Sequence, residues 1–427
     1  MTTRAALVSG LVLLTALAVG LLLTTPWHPL GSTALHPNGH LDFTPAEFAR
    51  ETAFHKAVRP PAYLSLLLGV LVACLLGFTH WGARLIEAVS AGRWWQGVLV
   101  GAAVCVALPR VASILADAVA EKALRAYGLS NQTWSGWAID QAKSFALAVA
   151  ITAPVLLGAV ALARAFPRWW WVGAAALAAV ITVAVSFLYP VLVEPVFNSF
   201  TPLEAGPLKT SLLDLAREDG IGVKDVLVAD ASKRTTALNA YVSGIGSSRR
   251  IVVYDTLLKA ATPQEVRLVV AHELSHVKHR DVLRGTLLGA LAAAMGVCFL
   301  GAALQSTGLL SRAGARGAGD PKVVALVLAL AVLATVISGP VLNLVSRRVE
   351  THADVGALDL THDPATFIDT ERRLALSNIA SLGPNGVAYF LFSTHPSTPE
   401  RIALARAWAV KHGMVPPAPA ARVTPAR

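Results

Sequence analysis

This sequence predicts an α-helical integral membrane protein with seven transmembrane helices and a mixed α/β polar domain assembled from two separated segments. Three observations carry that prediction. Of 427 residues, 55% are hydrophobic and 15% charged, against about a quarter charged in an ordinary soluble chain. The apolar residues gather into runs close to the roughly 20 that a helix needs to cross a hydrocarbon core. Two long polar stretches follow the fifth and seventh runs, and the first of them mixes strand-like and helix-like patterns.

The runs are Ala5–Thr24, Tyr63–Phe78, Trp95–Ala116, Phe145–Leu162, Trp169–Leu188, Leu287–Leu304 and Val323–Val345. Arg4 gives the first the look of a signal peptide. Its length, and the lack of a clean small-residue cleavage site in TTPWHPLG, favour a retained span. Trp94 and Trp95 precede the third run and Trp169, Trp170 and Trp171 begin the fifth, where amphipathic rings suit the headgroup level. The third run holds Pro109-Arg110, and an arginine at that depth must face protein or water. An ion pair and a polar cavity both satisfy that. Cys74, Cys105 and Cys298 all fall inside or against apolar runs without CxxC spacing, and read as small buried hydrophobes.

The formal charge of +10 would suggest nucleic acid in a soluble protein. In a chain of spans it reads as basic residues beside anionic lipid, so membrane lipid is an expected partner and nucleic acid is not. Two spans separate the polar stretches, so both lie on one side. That side carries Arg50, Lys56, Arg59, Lys122, Arg125, Lys143, Lys278, Arg280, Arg284, Arg347 and Arg348 near span ends. The opposite side has fewer. The excess places the polar domain in the cytoplasm and the N-terminus outside, and an Ala-, Leu-, Val- and Arg-rich composition suggests a bacterial plasma membrane.

The chain therefore divides into five parts. Residues 1–188 carry spans one to five. Residues 189–284 are the first polar segment, 285–345 a membrane hairpin, 346–414 the second polar segment, and 415–427 a flexible Pro/Ala-rich tail. In the first polar segment LKTSLLDLAREDG is helix-like, and DVLVAD and RRIVVYDTLL have strand character. Between them TTALNAYVSGIGSS reads as a strand ending in a turn. In TPQEVRLVVAHELSHVKHRD, Thr262 can cap, Pro263 suits the first helical position and Glu265 completes a capping box.

On that helix His272 and His276 are four apart and face the same way, so both imidazoles can hold one zinc ion at about 2.0–2.1 Å. Glu273 can take a proton from a zinc-activated water without ligating the metal, which is the chemistry of the HExxH pattern. A catalytic zinc site usually adds a third protein ligand and keeps one position open. Glu350 in NLVSRRVETHADVGAL is the candidate. Asp354, one turn on, can accept a hydrogen bond from a ligand histidine and fix its tautomer. Taken alone, a helix face pairing Glu350 and Asp354 with Arg347 and Arg348 explains those residues as well. Topology tilts the balance, because a hairpin returns the chain to the side it left and brings the two helices to one membrane edge. His352 points about 200° around a helix from Glu350.

Taken in order, YGLSNQTWSGWAIDQAKS, EPVFNSFTPLE, LNAYVSGIGSSRRIVVYDTLL, VVAHELSHVKHRD, SRRVETHADVGAL and FSTHPSTPERI resemble the zinc-dependent CAAX prenyl protease family. These are integral-membrane metalloendopeptidases with many bacterial members. The likeness runs from about Tyr127 almost to the C-terminus, while the first hundred residues match in hydropathy only. The resemblance implies a chamber enclosed by seven helices and a gluzincin-like catalytic domain. It also implies one Zn2+ per chain on His272, His276 and Glu350, with Glu273 as general base and Asp354 behind the ligands. It further implies an edge strand of Asn239, Ala240 and Tyr241 for the substrate backbone. His395 would sit near the scissile carbonyl, and Arg401 would orient a carboxylate or Glu350. The implied partner is a polypeptide substrate, lipidated or not. Serine stands in HELSH where the family commonly has glycine or alanine. Three alternatives remain at this point: a membrane quality-control protease without prenyl specificity, an intramembrane protease, and a transporter or scaffold with a structural zinc site. The basic residues after the motif argue against the intramembrane protease. The structural site would need a fourth ligand, for which His279, His352 and His395 are available.

Overall fold

The structure, a computed structural model, describes residues 2–244, 246–383 and 386–420. Among the described residues seven helices are long and apolar enough to cross a membrane. They are α1 (Thr2–Thr24), α2 (Pro45–Phe78), α4 (Trp94–Ala126), α5 (Trp134–Ala165), α6 (Trp170–Leu192), α11 (Asp281–Ala303) and α13 (Val323–Thr361), with α3 (His80–Val89) following α2. Each expected span lies within or against one of them. Most helices run well beyond the apolar run, because backbone hydrogen bonding continues into polar sequence once a span has nucleated the helix. Helix α2 begins at a capping box of Thr44 and Glu47.

The polar domain contains α7 (Glu194–Phe197), β1 (Phe200–Pro202), α8 (Pro207–Glu218), β2 (Asp225–Ala229), β3 (Ala240–Ser243), β4 (Arg250–Tyr254), α9 (Asp255–Ala260) and α10 (Pro263–Lys278). After α11, α12 (Thr307–Arg312) and α13 come α14 (Pro364–Asn378), α15 (Gly386–Phe392) and α16 (Thr398–Lys411). The three strands expected from sequence are β2, β3 and β4. The sheet order is β1-β2-β4-β3, with β2 and β4 parallel and the outer pairs antiparallel. β3 is thus an edge strand: Ala240 pairs with Val253 on one side, and its other edge is left toward α10.

One apolar core joins both polar segments. Leu212, Ile251, Val270 and Leu274 from the first pack with Leu358, Phe367, Ile402 and Trp408 from the second, all essentially buried. The loop after α1 also enters it through Leu30 and Phe43, and Arg406 grips the Asp42 carboxylate with both terminal nitrogens, Nη1 and Nη2. That loop showed no such role in the sequence. Within the expected tail, Pro417 accepts a hydrogen bond from Arg406 and the Ala420 amide donates to Asp42. Residues 421–427 lie outside the described residues. A second core lies among the spans and includes Cys105 and Cys298; all three cysteines are free thiols.

Two features position the site. Helix α13 runs unbroken for 39 residues, about 58 Å, so a single rod carries span seven and the ETHAD sequence. At Gly356 that rod touches α10, and a Cβ there would overlap Ser275 Oγ. The second feature is the turn from α10 into α11. Arg280 adopts φ +56°, the left-handed region that costs an L-residue about 1–2 kcal/mol, and α11 therefore starts at once, with Asp281.

Candidate active site

The Thr262–Glu265 capping box forms as expected and starts α10 so that His272, Glu273 and His276 face a cavity. His272 Nε2 and His276 Nε2 stand 3.2 Å apart. Glu350 Oε2 lies 3.2 Å from His272 Nε2 and Glu350 Oε1 lies 3.8 Å from His276 Nε2. One donor atom from each of the three residues falls within 4.8 Å of the others. Two nitrogens held by a tetrahedral zinc at about 2.05 Å would stand about 3.3 Å apart.

The outer ring nitrogens decide what this cluster can hold. His272 Nδ1–H donates to Asp354 Oδ1 at 2.8 Å and His276 Nδ1–H donates to Asp281 Oδ2 at 2.9 Å. With both Nδ1 atoms committed as donors, the neutral imidazoles turn two Nε2 lone pairs toward one point, and a carboxylate joins them there. Three acceptors converging without a donor repel each other unless a cation stands between them, so the donor set fits a zinc ion. The same field acts on a proton. Burial pulls the His272 imidazolium down, yet its bonds to Asp354 and Glu350 outweigh burial and raise it to about 10.

Glu273 lines the same cavity without a side-chain partner among the described residues. Burial pushes its carboxyl above the ordinary range, against the pull of both histidines. The cavity measures 330 Å³, and its walls include Asn239, Ala240, Tyr241, His272, Glu273, His276, Glu350, His395 and Arg401. The fold thus brings the expected base, ligands, substrate strand, His395 and Arg401 to one cavity, while Asp354 is fully buried behind His272. His395 Nε2 lies 3.5 Å from Glu350 Oε2, and its side chain is 61% exposed.

Arg401 reaches Asp354 through two nitrogens, and its third pairs with Glu371 Oε2 at 2.8 Å. It therefore orients Asp354, and through it His272, while Glu350 lies beyond its hydrogen bonds. Arg347 donates to the Tyr389 and Ser393 carbonyls, so it tethers the His395 segment and does not neutralise Glu350 or Asp354. His352 packs against His279 with rings tilted by 40° and centroids 3.9 Å apart, outside the donor cluster. Two contributors escaped sequence reading, Asp281 and Glu371. Asp281 is five residues from His276 and meets it only through the left-handed turn at Arg280. Glu371 sits on α14, whose register against α16 follows from packing.

Comparison with known proteins follows the same outline. The profile of peptidase family M48 matches residues 202–409, and that of the CAAX prenyl protease N-terminal region, five membrane helices, matches 62–199. An uncharacterized metalloprotease of Bacillus subtilis, YhfN, is 33% identical over 65% of this chain and 65% of its own length. CAAX prenyl protease 1 of Saccharomyces cerevisiae is 33% identical over 39% of this chain and 37% of its own. The aligned stretch thus spans less than two thirds of either relative. In three dimensions the chain superposes on the crystal structure of S. mikatae Ste24p with a TM-score of 0.77. That match covers 94% of this chain and 98% of the other at 20% identity, a likeness of fold that includes the chamber of membrane helices.

Proposed function

This chain belongs to the peptidase M48 family of CAAX prenyl proteases, and from that premise we propose that it is a membrane-embedded zinc metalloendopeptidase. Its substrates are prenylated CAAX-type or other membrane-associated polypeptides. Residues 189–284 and 346–414 act as one catalytic unit on the cytoplasmic side of a bacterial plasma membrane, and 285–345 is the hairpin that joins them. The observation that carries this reading is the convergence of two imidazole lone pairs and the Glu350 carboxylate in a cavity that also holds Glu273 and the free edge of β3.

His272, His276 and Glu350 would hold the zinc, which when bound supplies Lewis acidity toward water and a substrate carbonyl. The chain's own residues do the rest. The unpaired edge of β3 at Asn239–Tyr241 takes the substrate backbone by strand addition, which needs no particular side chains. Glu273, with its raised proton affinity, accepts the proton of the attacking water and returns it to the leaving amine. His395 donates a hydrogen bond to the carbonyl oxygen as negative charge develops there. Asp354 and Asp281 keep His272 and His276 in one tautomer.

The test is cleavage of a prenylated CAAX peptide and its unprenylated twin by purified protein, with and without a chelator. Glu273→Gln should keep its zinc and lose turnover by roughly 10²–10⁴-fold. Undiminished turnover in that variant removes Glu273 as the base. Equal rates on the twin peptides remove the prenyl group from recognition and leave the broader membrane-polypeptide specificity.

A further inference from the structure

Beside the site lies a second cavity of 420 Å³, walled by Arg110, Arg234, Trp137, Ser144 and Tyr254. Arg110 sits within span α4, where a guanidinium is costly unless it faces protein or water, and its side chain is 43% exposed. The oxygens facing the two arginines are already used. Asp140 Oδ2 accepts from Gln132 Nε2 at 2.6 Å and from Arg234 Nε at 2.7 Å. Gln141 Oε1 accepts from Arg110, and Asn198 Oδ1 accepts from Arg234 Nη1 at 2.8 Å. What remains unspent is donors. Among the described residues Arg110 Nε, Arg234 Nη2, Trp137 Nε1 and the Ser144 hydroxyl have no hydrogen-bond partner. Hydroxyls apart, the spare side-chain acceptors are the amide oxygen of Gln132 and Asp140 Oδ1. Lys143 stands 3.9 Å from Asp140, and Arg110 stands 3.8 Å from Asp117. On the wall itself the two guanidiniums of Arg110 and Arg234 stand against one carboxylate, Asp140.

The cavity adjoins the edge strand. Tyr254 packs edge-on to Tyr241, 6.4 Å between centroids, and its amide donates to the Asn239 carbonyl. Thr235, also on its wall, precedes Asn239 by four residues, at most roughly 13 Å of extended chain. A peptide laid along β3 thus reaches this cavity a few residues past Asn239.

We propose that Arg110 and Arg234 form a subsite for the C-terminal α-carboxylate of the substrate polypeptide. A donor-rich, net-positive wall attracts that group and repels an N-terminal ammonium. The substrate accordingly runs antiparallel to β3, its C-terminus toward Asn239. The assignment rests on the peptidase reading for the identity of its ligand.

Binding separates the two. Dansyl-labelled short peptides, identical except for a free acid or an amide at the C-terminus, are titrated into full-length Glu273→Gln protein in detergent. Their cleavage by the otherwise unaltered chain is measured in parallel. The acid should bind about tenfold or more tighter. Adding Arg110→Gln should abolish that preference by weakening the acid alone, and Arg110→Lys should restore part of it. Equal affinity for acid and amide, or equal weakening of both by Arg110→Gln, overturns the subsite. So does full recovery by an amide peptide ending in Glu, which would mean that a side-chain carboxylate is read. Acid preference without cleavage of either peptide keeps the subsite and overturns the peptidase.

Discussion

At the scale of single residues, the proposed chemistry rests on carboxylates placed behind the imidazoles. Asp354 and Asp281 each hold one Nδ1–H. Asp354→Asn and Asp281→Asn should each weaken zinc binding by roughly 10–100-fold, read by competition with a chromophoric chelator; unchanged affinity in both would remove the tautomer argument. Asp354 was legible in the sequence, because one helical turn separates it from Glu350. Asp281 was not, because helix periodicity ends at Lys278 and a backbone reversal follows. Glu371 adds a pH effect. Burial pushes its carboxyl up, Arg401 pulls it back and the Asp354 charge adds to the rise, leaving it at about 7. A folded-state value above the unfolded one means that the proton binds tighter in the folded protein. Its contribution is therefore full below the ordinary carboxyl range and is lost as pH rises through about 7. Thermal melts of chelator-treated protein should decline across that window, and Glu371→Gln should flatten the decline. A variant with the unaltered slope would place the titration elsewhere.

At the scale of elements, the site depends on how closely α10 and α13 approach. Each histidine's direction follows from its own helix, but the gap to Glu350 is set by the contact at Gly356 and Ser275. Gly356→Ala should cost about 1–3 kcal/mol by overpacking and should loosen zinc binding as the helices part. Ser275→Gly in the same chain should recover part of both losses, since contacting residues couple. Additive losses in the double variant would show that the contact is not what spaces the helices. Serine in HELSH is thus tolerated because the partner helix supplies the missing space. The strands were read from alternation and glycine, and β3 proved to be the edge. β1 went unread: three residues ending in proline give too short a period, and pairing with β2 defines them.

At the scale of the molecule, loops from several spans meet the polar domain on one face. Arg50 donates to the Leu376 carbonyl, Asn131 to Ser232 and Lys143 to Val196, so the loops expected to share a side with the polar segments do touch them. The proposed cytoplasmic orientation predicts a labelling pattern. In intact cells a membrane-impermeant maleimide should label Arg312→Cys, in the hairpin connection, and spare Val410→Cys on α16 until the cells are opened. The reverse pattern would invert the protein in its membrane. The native cysteines lie within spans and should add little background.

Sequence alone determined the seven spans, the capped helix bearing two histidines on one face, and that the two polar segments meet on one side. Each of these follows from a period or a local signal contained within one element. Only the tertiary structure decided that the Glu350 carboxylate meets both imidazoles, that Asp281 and Glu371 join the site, and that a donor-rich cavity flanks the edge strand. Distances between elements depend on which side chains leave room for close approach, as Gly356 does for Ser275, and on turns such as that at Arg280. Those spacings come from packing many distant residues together at once, which no stretch of local pattern encodes.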